Sequence, residues 1–345
     1  MTEIKEQNRF LPPMRMHPAY RHGDMTPWGG EQLKTVFGKD IPDERTGEAL
    51  EMSVIPGLES TDDDGVTLTA LIERYGSRLT GLPEGTEFPL LLKLLAAKGT
   101  LSVQVHPDDE YAKAHENKLG KTEAWVILHA EEGASLLYGI REGVTIDDLR
   151  RALTGGEDVE PLIQRVQVKA GDVFYMPAGM VHAIGGGILL YEIQQSSDVT
   201  YRFWDWNRVG KDGKPRELHT EKALDVTVPD RHLGNIEGTT ALCRGGSRTY
   251  YISDANFELC RLNVSGRMPI ADGRMLFLTP TAPCTLEWPG DSLELNAFDS
   301  VVIPAAMTDV TLVGDAKVLM SSLPNHAHLI AELGSRAENV AGLTD

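Results

Sequence analysis

The chain has 345 residues, of which 41% are hydrophobic and 24% charged, and its formal net charge at pH 7 is −18. This length and composition predict a globular protein with room for two domains of ordinary size. The negative charge argues against a nucleic-acid partner, because phosphate backbones are bound by clustered Lys and Arg side chains.

The first ten residues, Met1–Phe10, are polar and charged and lack the apolar core of a signal peptide. The most apolar stretch, residues 88–105, is interrupted by Lys93 and Lys98, so it does not reach the run of about 18 apolar residues that spans a bilayer. The 3 cysteines are an odd number, which argues against a disulfide framework. We therefore expect a cytoplasmic protein without a membrane segment.

The predicted elements are mostly strands. Apolar spacing and helix start signals predict short helices at residues 67–78, 107–119, 145–153 and 218–226. Short apolar runs between turn residues predict strands at residues 101–105, 124–128, 166–168, 173–175, 188–193, 257–264, 301–303, 310–313 and 318–321. This pattern is typical of an antiparallel barrel or jelly roll that carries a minority of helix.

A short internal repeat indicates two copies of one barrel. Residues 171–178 align with residues 298–305, and in each copy a turn and an apolar strand end at a proline. The fourth position after the aligned segments is His182 in the first copy and Asp309 in the second. We therefore expect a metal ligand in the first copy only, and one metal ion per chain.

Four positions carry a resemblance to the cupin barrels. Gly171, Pro177, Gly179 and His182 have the spacing of the second cupin metal-binding motif, in which a strand and a tight turn precede an inward histidine. The resemblance implies a mainly β fold with minor helix, made of two cupin barrels (double-stranded β-helix or jelly roll), with helical elements on the first. We expect a metal-binding catalytic domain at residues 1–234 and a degenerate second barrel without metal ligands at residues 235–345.

The first cupin motif predicts the remaining ligands. Gln104 and His106 are two residues apart, so they project from the same face of a strand. The usual position of the carboxylate ligand offers Asp109 and Glu110, and Glu123 follows later at the start of another strand. Two imidazoles with two oxygen ligands suit zinc, and Mn, Fe or Co are further candidates. The other histidines, among them His115, His129 and His219, are expected to be ordinary core or surface residues.

A wider set of segments resembles the type I mannose-6-phosphate isomerases in their short bacterial form. The matching segments are PWGGEQL (27–33), GEALEMSV (47–54), FPLLLKLLAAKGTLSVQVHPDDEYA (88–112), GKTEAWVIL (120–128), the 171–182 motif and YEIQQSSDVTYRFWDWNR (191–208). The resemblance implies that zinc is bound by Gln104, His106, Glu123 and His182. It also implies an active-site arginine, Arg202, and a sugar-phosphate pocket lined by Trp28, Lys93, Ser102, Lys121 and Glu192.

The implied reaction interconverts mannose 6-phosphate and fructose 6-phosphate by moving a proton between C1 and C2 through an enediolate. Arg202 suits stabilisation of the oxyanion or of the phosphate. Lys121 and Glu192 are the two candidates for the base that moves the proton, and the sequence does not choose between them. The partner is a phosphorylated hexose, and the protein is expected to be a monomer or a homodimer. Two alternatives stay open: a non-catalytic sugar-phosphate-binding cupin and a cupin metal oxygenase.

Overall fold

A computed structural model describes residues 11–209, 213–231 and 233–343. Its helices are α1 (Gln32–Thr35), α2 (Leu68–Tyr75), α3 (Ser77–Thr80), α4 (Asp109–Glu116), α5 (Ile146–Gly155), α6 (Thr220–Val226) and α7 (His326–Leu333). Its strands are β1 (Met14–His17), β2 (Ala19–His22), β3 (Thr46–Met52), β4 (Thr61–Asp62), β5 (Leu90–Ala97), β6 (Val103–Val105), β7 (Glu123–Ala130), β8 (Ser135–Ile140), β9 (Ile163–Gln167), β10 (Val173–Met176), β11 (His182–Ile184), β12 (Ile188–Gln195), β13 (Tyr201–Trp204), β14 (Thr239–Cys243), β15 (Gly246–Ser253), β16 (Glu258–Pro269), β17 (Leu276–Pro280), β18 (Cys284–Trp288), β19 (Asp291–Leu295), β20 (Ser300–Ile303) and β21 (Thr311–Ser322).

The fold is mainly β, as predicted, and the strands form three sheets. None of the helices in the described residues is long and apolar enough to cross a membrane. The cysteines of the chain, Cys243, Cys260 and Cys284, all lie in described strands and are free thiols.

The chain divides into two compact units. The C-terminal unit takes the described residues of Met1–Ala19, Leu50–Leu92 and Glu237–Asp345, and the central unit takes Tyr20–Ala49 and Lys93–Ile236. The two N-terminal segments join the C-terminal unit through hydrogen bonding, because β1 pairs with β20 and β4 pairs with β1. The domain boundary at residue 234 stays a prediction.

The C-terminal unit contains one sheet of ten strands, in which β16 and β21 pair along their whole length. The sequence predicted two strands at residues 310–313 and 318–321, and this prediction was wrong. The polar residues between them continue the ladder, with Gly314 opposite Gly266 and Asp315 opposite Ser265. The two aligned segments of the internal repeat each contain a strand, β10 in the first and β20 in the second. The two strands begin at equivalent positions of the alignment. The position equivalent to His182 is Asp309, which is exposed and precedes β21.

The central unit contains a six-stranded sheet, ordered β10-β7-β12-β5-β3-β2, and a five-stranded sheet, ordered β13-β6-β11-β8-β9. Side chains alternate across the five-stranded sheet, as the period of two in a strand requires. One face packs against α5 and α6 through an apolar cluster that includes Val103, Val105, Leu149, Val181, Ala183, Tyr201, Phe203, Ala223 and Leu224. The opposite face carries Gln104, His182 and Arg202, which are the intervening residues of β6, β11 and β13.

Each of the four predicted helical regions overlaps a helix, and the first overlaps both α2 and α3, whereas α1 and α7 were not predicted. The helix ends follow local capping. Helix α4 begins where the Asp108 side chain accepts a hydrogen bond from the Tyr111 amide at 2.9 Å. It ends at the left-handed Asn117 (φ 53°), before the predicted end at Gly120. Gln104 lies in β6 and His106 directly follows this strand, so α4 begins shortly after both residues.

The turn between β10 and β11 fixes the position of His182. Gly179 has φ +87°, and its amide donates to the His106 carbonyl at 2.8 Å. A Cβ at Gly179 would lie 2.8 Å from the Val226 carbonyl oxygen. Only glycine fits this turn without strain, because a side chain would meet both an unfavourable φ and a backbone contact.

We expect Gly179→Ala to lower the free energy of unfolding by about 3 kcal/mol, because it combines left-handed strain with overpacking. Gly171→Ala is the matched control, since its φ of +96° is also left-handed but its Cβ would meet no atom within 4 Å. That control should lose about 1 kcal/mol. Urea denaturation midpoints measure both losses. Equal losses in the two variants would show that the contact with Val226 has no energetic weight.

Candidate active site

Three buried side chains of the central unit meet at one point. His106, Glu123 and His182 place their ligand atoms within 4.8 Å of one another. His106 follows β6 and His182 begins β11 in the five-stranded sheet, whereas Glu123 begins β7 in the six-stranded sheet. Each of these side chains is about 1% exposed. The two sheets of the central unit therefore supply one common site.

Backbone carbonyls orient both imidazoles. His106 Nδ1 donates to the Val199 carbonyl and His182 Nδ1 donates to the Met180 carbonyl, each at 2.9 Å. Each ring consequently keeps the lone pair of Nε2, which is 3.6 Å from Glu123 in His106 and 3.1 Å from Glu123 in His182. Burial and the nearby Lys121 hold the pKa of His106 well below its usual value. Neutral imidazoles with a fixed tautomer are the form that binds metal ions.

Glu123 is a buried carboxylate with unused acceptor capacity. Burial raises its pKa, but Lys121 and His106 lower it further, and the net result is a pKa well below the usual value. Lys121 Nζ lies 2.8 Å from Oε2 as an ion pair, yet neither oxygen accepts a hydrogen bond of good geometry from any described residue. An ionised carboxylate with open lone pairs in a dry site favours a cation.

Gln104 adds an amide to this group. Its Nε2 lies 3.4 Å from His182 Nε2, and the side chain lies on the face of β6 that points to the cluster. The two other carboxylates considered from the sequence are elsewhere: Asp109 accepts from the Gly120 amide at 2.7 Å, and Glu110 is exposed. The donor set of two imidazoles, one carboxylate and one amide suits a divalent metal ion.

A second buried feature is an alternating row of charges across the six-stranded sheet, which we call the charge row: Arg21, Glu48, Lys93 and Glu192. Arg21 is 3.3 Å from Glu48, and Lys93 is 3.5 Å from Glu48 and 2.9 Å from Glu192. The Trp125 indole N–H donates to the far oxygen of Glu192 at 2.8 Å.

Electrostatics keep the two central members of the charge row, Lys93 and Glu48, ionised. Burial lowers the pKa of Lys93, but Glu192 and Glu48 raise it to a net value above the usual one. Burial likewise raises the pKa of Glu48, and Lys93 with Arg21 lowers it to a net value below the usual one. Lys93 is therefore a buried cation and not a base at neutral pH. One oxygen of Glu192 accepts from Trp125, and the other lies 2.9 Å from Lys93 as an ion pair without a hydrogen bond of good geometry. The Lys121 ammonium lies 3.1 Å from His106 Nε2 and 2.8 Å from Glu123.

A cavity of about 340 Å³ in the central unit collects most of the predicted residues. Of the ten side chains predicted from the sequence, seven line it: Trp28, Lys93, Ser102, Gln104, Lys121, Glu192 and Arg202. The other three are the buried cluster, which Gln104 and Lys121 contact directly. The structure thus brings all ten together.

Arg202 extends into this cavity from β13. Its Nη1 donates to the Glu217 carbonyl at 2.8 Å, and its backbone amide donates to His219 Nδ1 at 3.1 Å. Its Nε is buried and donates to no described residue. Burial and the neighbouring Arg216 lower the pKa of Arg202 below its usual value, and the guanidinium stays charged at neutral pH.

The sequence analysis missed several cavity residues, namely Arg21, Glu48, Asp198, Thr200 and Arg216. Glu48 has a recognisable signal, because it is a lone charge among small and apolar neighbours in the first half of a fully buried strand. Arg216 has no such signal. Its position depends on Asp205, which accepts two hydrogen bonds of 2.6 Å from its guanidinium. His219, which we expected to be ordinary, contacts Arg202.

Known proteins are similar to this chain in sequence and in fold. Residues 15–124 match the family model for the catalytic domain of type I phosphomannose isomerase. The mannose-6-phosphate isomerase ManA of Bacillus subtilis (strain 168) is 38% identical over 311 residues, which cover 86% of this chain and 95% of that protein.

Solved structures agree. The crystal structure of the mannose 6-phosphate isomerase from Bacillus subtilis has a TM-score of 0.83 at 33% identity and covers 90% of this chain and 99% of that chain. A mannose 6-phosphate isomerase crystallised with zinc and yttrium has a TM-score of 0.73, covering 91% of this chain and 100% of that chain, and its 16% identity shows a shared fold alone. The predicted cupin fold class is confirmed. Because the chain matches the family model and is 38% identical to ManA along 95% of that protein, it belongs to the type I phosphomannose isomerase family.

Proposed function

We propose that this protein is an aldose–ketose isomerase that interconverts mannose 6-phosphate and fructose 6-phosphate with one Zn²⁺ per chain. The observation that carries the proposal is the buried, ionised Glu123 between two oriented imidazoles, beside a cavity lined by cations. The relatives described above bear the name of this activity. Neither a cupin oxygenase nor a non-catalytic sugar-phosphate-binding protein is favoured by that relationship.

The metal would be held by His106, Glu123, His182 and Gln104. Gln104 would offer its amide oxygen, which requires the amide to turn, since Nε2 is the atom nearest His182 here. When bound, the ion supplies polarisation of the substrate carbonyl and a template for adjacent sugar oxygens. The repeat supports a single site, because the second copy has the exposed Asp309 at the position of His182.

The chain's own residues would carry the proton transfer between C1 and C2. Lys121 and Glu192 remain the two candidates. Glu192 accepts the Trp125 indole N–H at one oxygen, and its other oxygen lies 2.9 Å from Lys93. Lys121 lines the cavity next to the proposed metal ligands, where its ammonium can return a proton to the enediolate.

Cationic side chains would recognise the anionic parts of the substrate. Arg202 has a buried N–H without a partner among the described residues, which suits an oxyanion or a phosphate oxygen. Arg216 lines the same cavity in a fixed orientation. Ser102 and Trp28 complete the proposed substrate contacts.

The site residues named here all come from one chain, so the proposed activity needs no second copy, and a monomer or a homodimer is expected. A cytoplasmic location agrees with the three free thiols.

The first test is metal content. Elemental analysis of the purified protein should find one divalent ion per chain, and His106→Ala with His182→Ala should remove it, because two of the proposed ligands are lost. His129→Ala is the matched control, since this exposed histidine of β7 contacts no proposed ligand in the structure. Two tightly held ions, or one ion that survives the double substitution, would contradict the assignment.

The second test concerns Arg202. Arg202→Ala should lower kcat/KM by about a hundredfold, a loss typical of one preorganised charge donor, while the metal content stays unchanged. Arg151→Ala, at an exposed arginine of α5, serves as the control and should behave like the unaltered protein. An Arg202→Ala enzyme with full turnover would exclude this arginine from the reaction.

The third test follows hydrogen at C2. Fructose 6-phosphate is incubated with the protein in deuterated water, and the product is examined by NMR. An enediolate route passes the migrating hydrogen through a base that exchanges with solvent, so mannose 6-phosphate should carry deuterium at C2. Glu123→Gln should abolish product by weakening the metal site.

The other outcomes of the third test are equally informative. Product without deuterium over many turnovers would contradict the base assignments and leave the metal site standing. Absence of product from metal-loaded protein would contradict the isomerase function and favour a non-catalytic sugar-phosphate-binding protein.

A further inference from the structure

The segment that directly precedes α6, residues 215–219, holds both ends of Arg202. His219 and Arg202 exchange two hydrogen bonds: the Arg202 amide donates to His219 Nδ1 at 3.1 Å, and the His219 amide donates to the Arg202 carbonyl at 2.9 Å. The guanidinium is held by the same segment, because Nη1 donates to the Glu217 carbonyl at 2.8 Å. The backbone and the side chain of Arg202 are therefore positioned together.

We propose that His219 is a positioning residue that aligns Arg202 toward the cavity through its Nδ1 acceptor. The inference rests on the proposed function, in which Arg202 contacts the substrate. His219 itself is absent from the cavity lining, so its effect on the reaction has to pass through Arg202. A neutral imidazole that accepts a hydrogen bond at Nδ1 carries its one ring N–H proton on Nε2.

The surroundings of His219 favour this neutral form. The charged groups that face it are Arg202 from β13, Glu217 from its own segment, Lys222 from α6 and Glu116 from α4. The Tyr201 ring packs beside it at a centroid distance of 6.1 Å. Burial, followed by Arg202, lowers the pKa of His219 below 6.5. The acceptor is thus present at neutral pH, and it is lost only when the pH falls through this lowered pKa.

Three substitutions distinguish the contribution of the Nδ1 acceptor from the contribution of the size of the ring. Asparagine has an amide oxygen one bond beyond Cγ, where histidine has Nδ1, whereas glutamine has its amide one bond farther out. His219→Asn should therefore keep most of the wild-type kcat/KM. His219→Ala and His219→Gln should lose about 10- to 100-fold, mainly in kcat, as expected for a misplaced transition-state contact. His129→Ala should be unaffected.

A double-mutant cycle shows whether His219 acts through Arg202. In an Arg202→Lys background, where the guanidinium and its contact with Glu217 are absent, adding His219→Ala should change kcat/KM by less than about threefold. The metal content should be the same in every variant. Equal losses from His219→Ala in both backgrounds, or a His219→Asn enzyme as impaired as His219→Gln, would overturn the proposal.

A measurement without turnover separates this inference from the proposed function. In ¹H–¹⁵N NMR of the wild-type protein at neutral pH, with the His219 signals identified by comparison with His219→Asn, the ring should be protonated on Nε2 only. A ring protonated on Nδ1 would overturn the positioning role even in an active isomerase. If the ring is protonated on Nε2 but the protein has no isomerase activity, the proposed function and the substrate role of Arg202 are contradicted. The hydrogen bond from the Arg202 amide to His219 Nδ1 is confirmed in that case.

Discussion

The buried negative charge of Glu123 is the constraint on which the central unit depends. A carboxylate withdrawn from water costs several kcal/mol unless cations or donors compensate it. Here the compensation comes from the Lys121 ammonium at 2.8 Å. The imidazole nitrogens that face Glu123 carry lone pairs and do not offset its charge, so the carboxylate and the two imidazoles, drawn from both sheets, together form an electron-rich site. The same charge leaves an attractive position for a divalent cation.

The charge row likewise compensates charges that are withdrawn from water, here in the six-stranded sheet. Its members alternate in sign along neighbouring strands, so each charge has an opposite neighbour and the row has no net charge. A neutral row can be buried where an isolated cation could not. It also means that the row contributes little to the net potential of the cavity. The attraction for an anionic group therefore has to come from cations outside the row, such as Arg202, because Arg216 is already paired with Asp205.

The sequence predicted the parts of the site that depend on local spacing. Gly171, Pro177, Gly179 and His182 predict one strand, one turn and one inward histidine, and the structure has them in that arrangement. Gln104 and His106 are likewise two residues apart at the end of one strand. The resemblance to a family then added Glu123, Arg202 and the pocket residues, whose meeting no local pattern dictates.

What the sequence did not predict depends on pairing between distant segments. Glu48 acquires its role only beside Lys93, on a neighbouring strand, and His219 only beside Arg202. No local pattern indicates that residues 11–19 and 50–92 join the C-terminal unit, since strand partners are chosen by register and burial across the whole chain. The long strand β21 was divided in the prediction because Gly314 and Asp315 are usual turn residues, but a continuous partner strand overrides that preference.

The pairing of β1 with β20 has a consequence for how the protein is made. Met14 lies opposite Val302, so β1 waits for its partner until synthesis has passed β20. Contacts of such sequence separation are slow to form, and unpaired edges are prone to aggregation meanwhile. Most of the central unit, in contrast, comes from the continuous residues 93–236 and can fold earlier. Synthesis therefore favours completion of the unit that contains His106, Glu123 and His182 before the unit that contains β1 and β20.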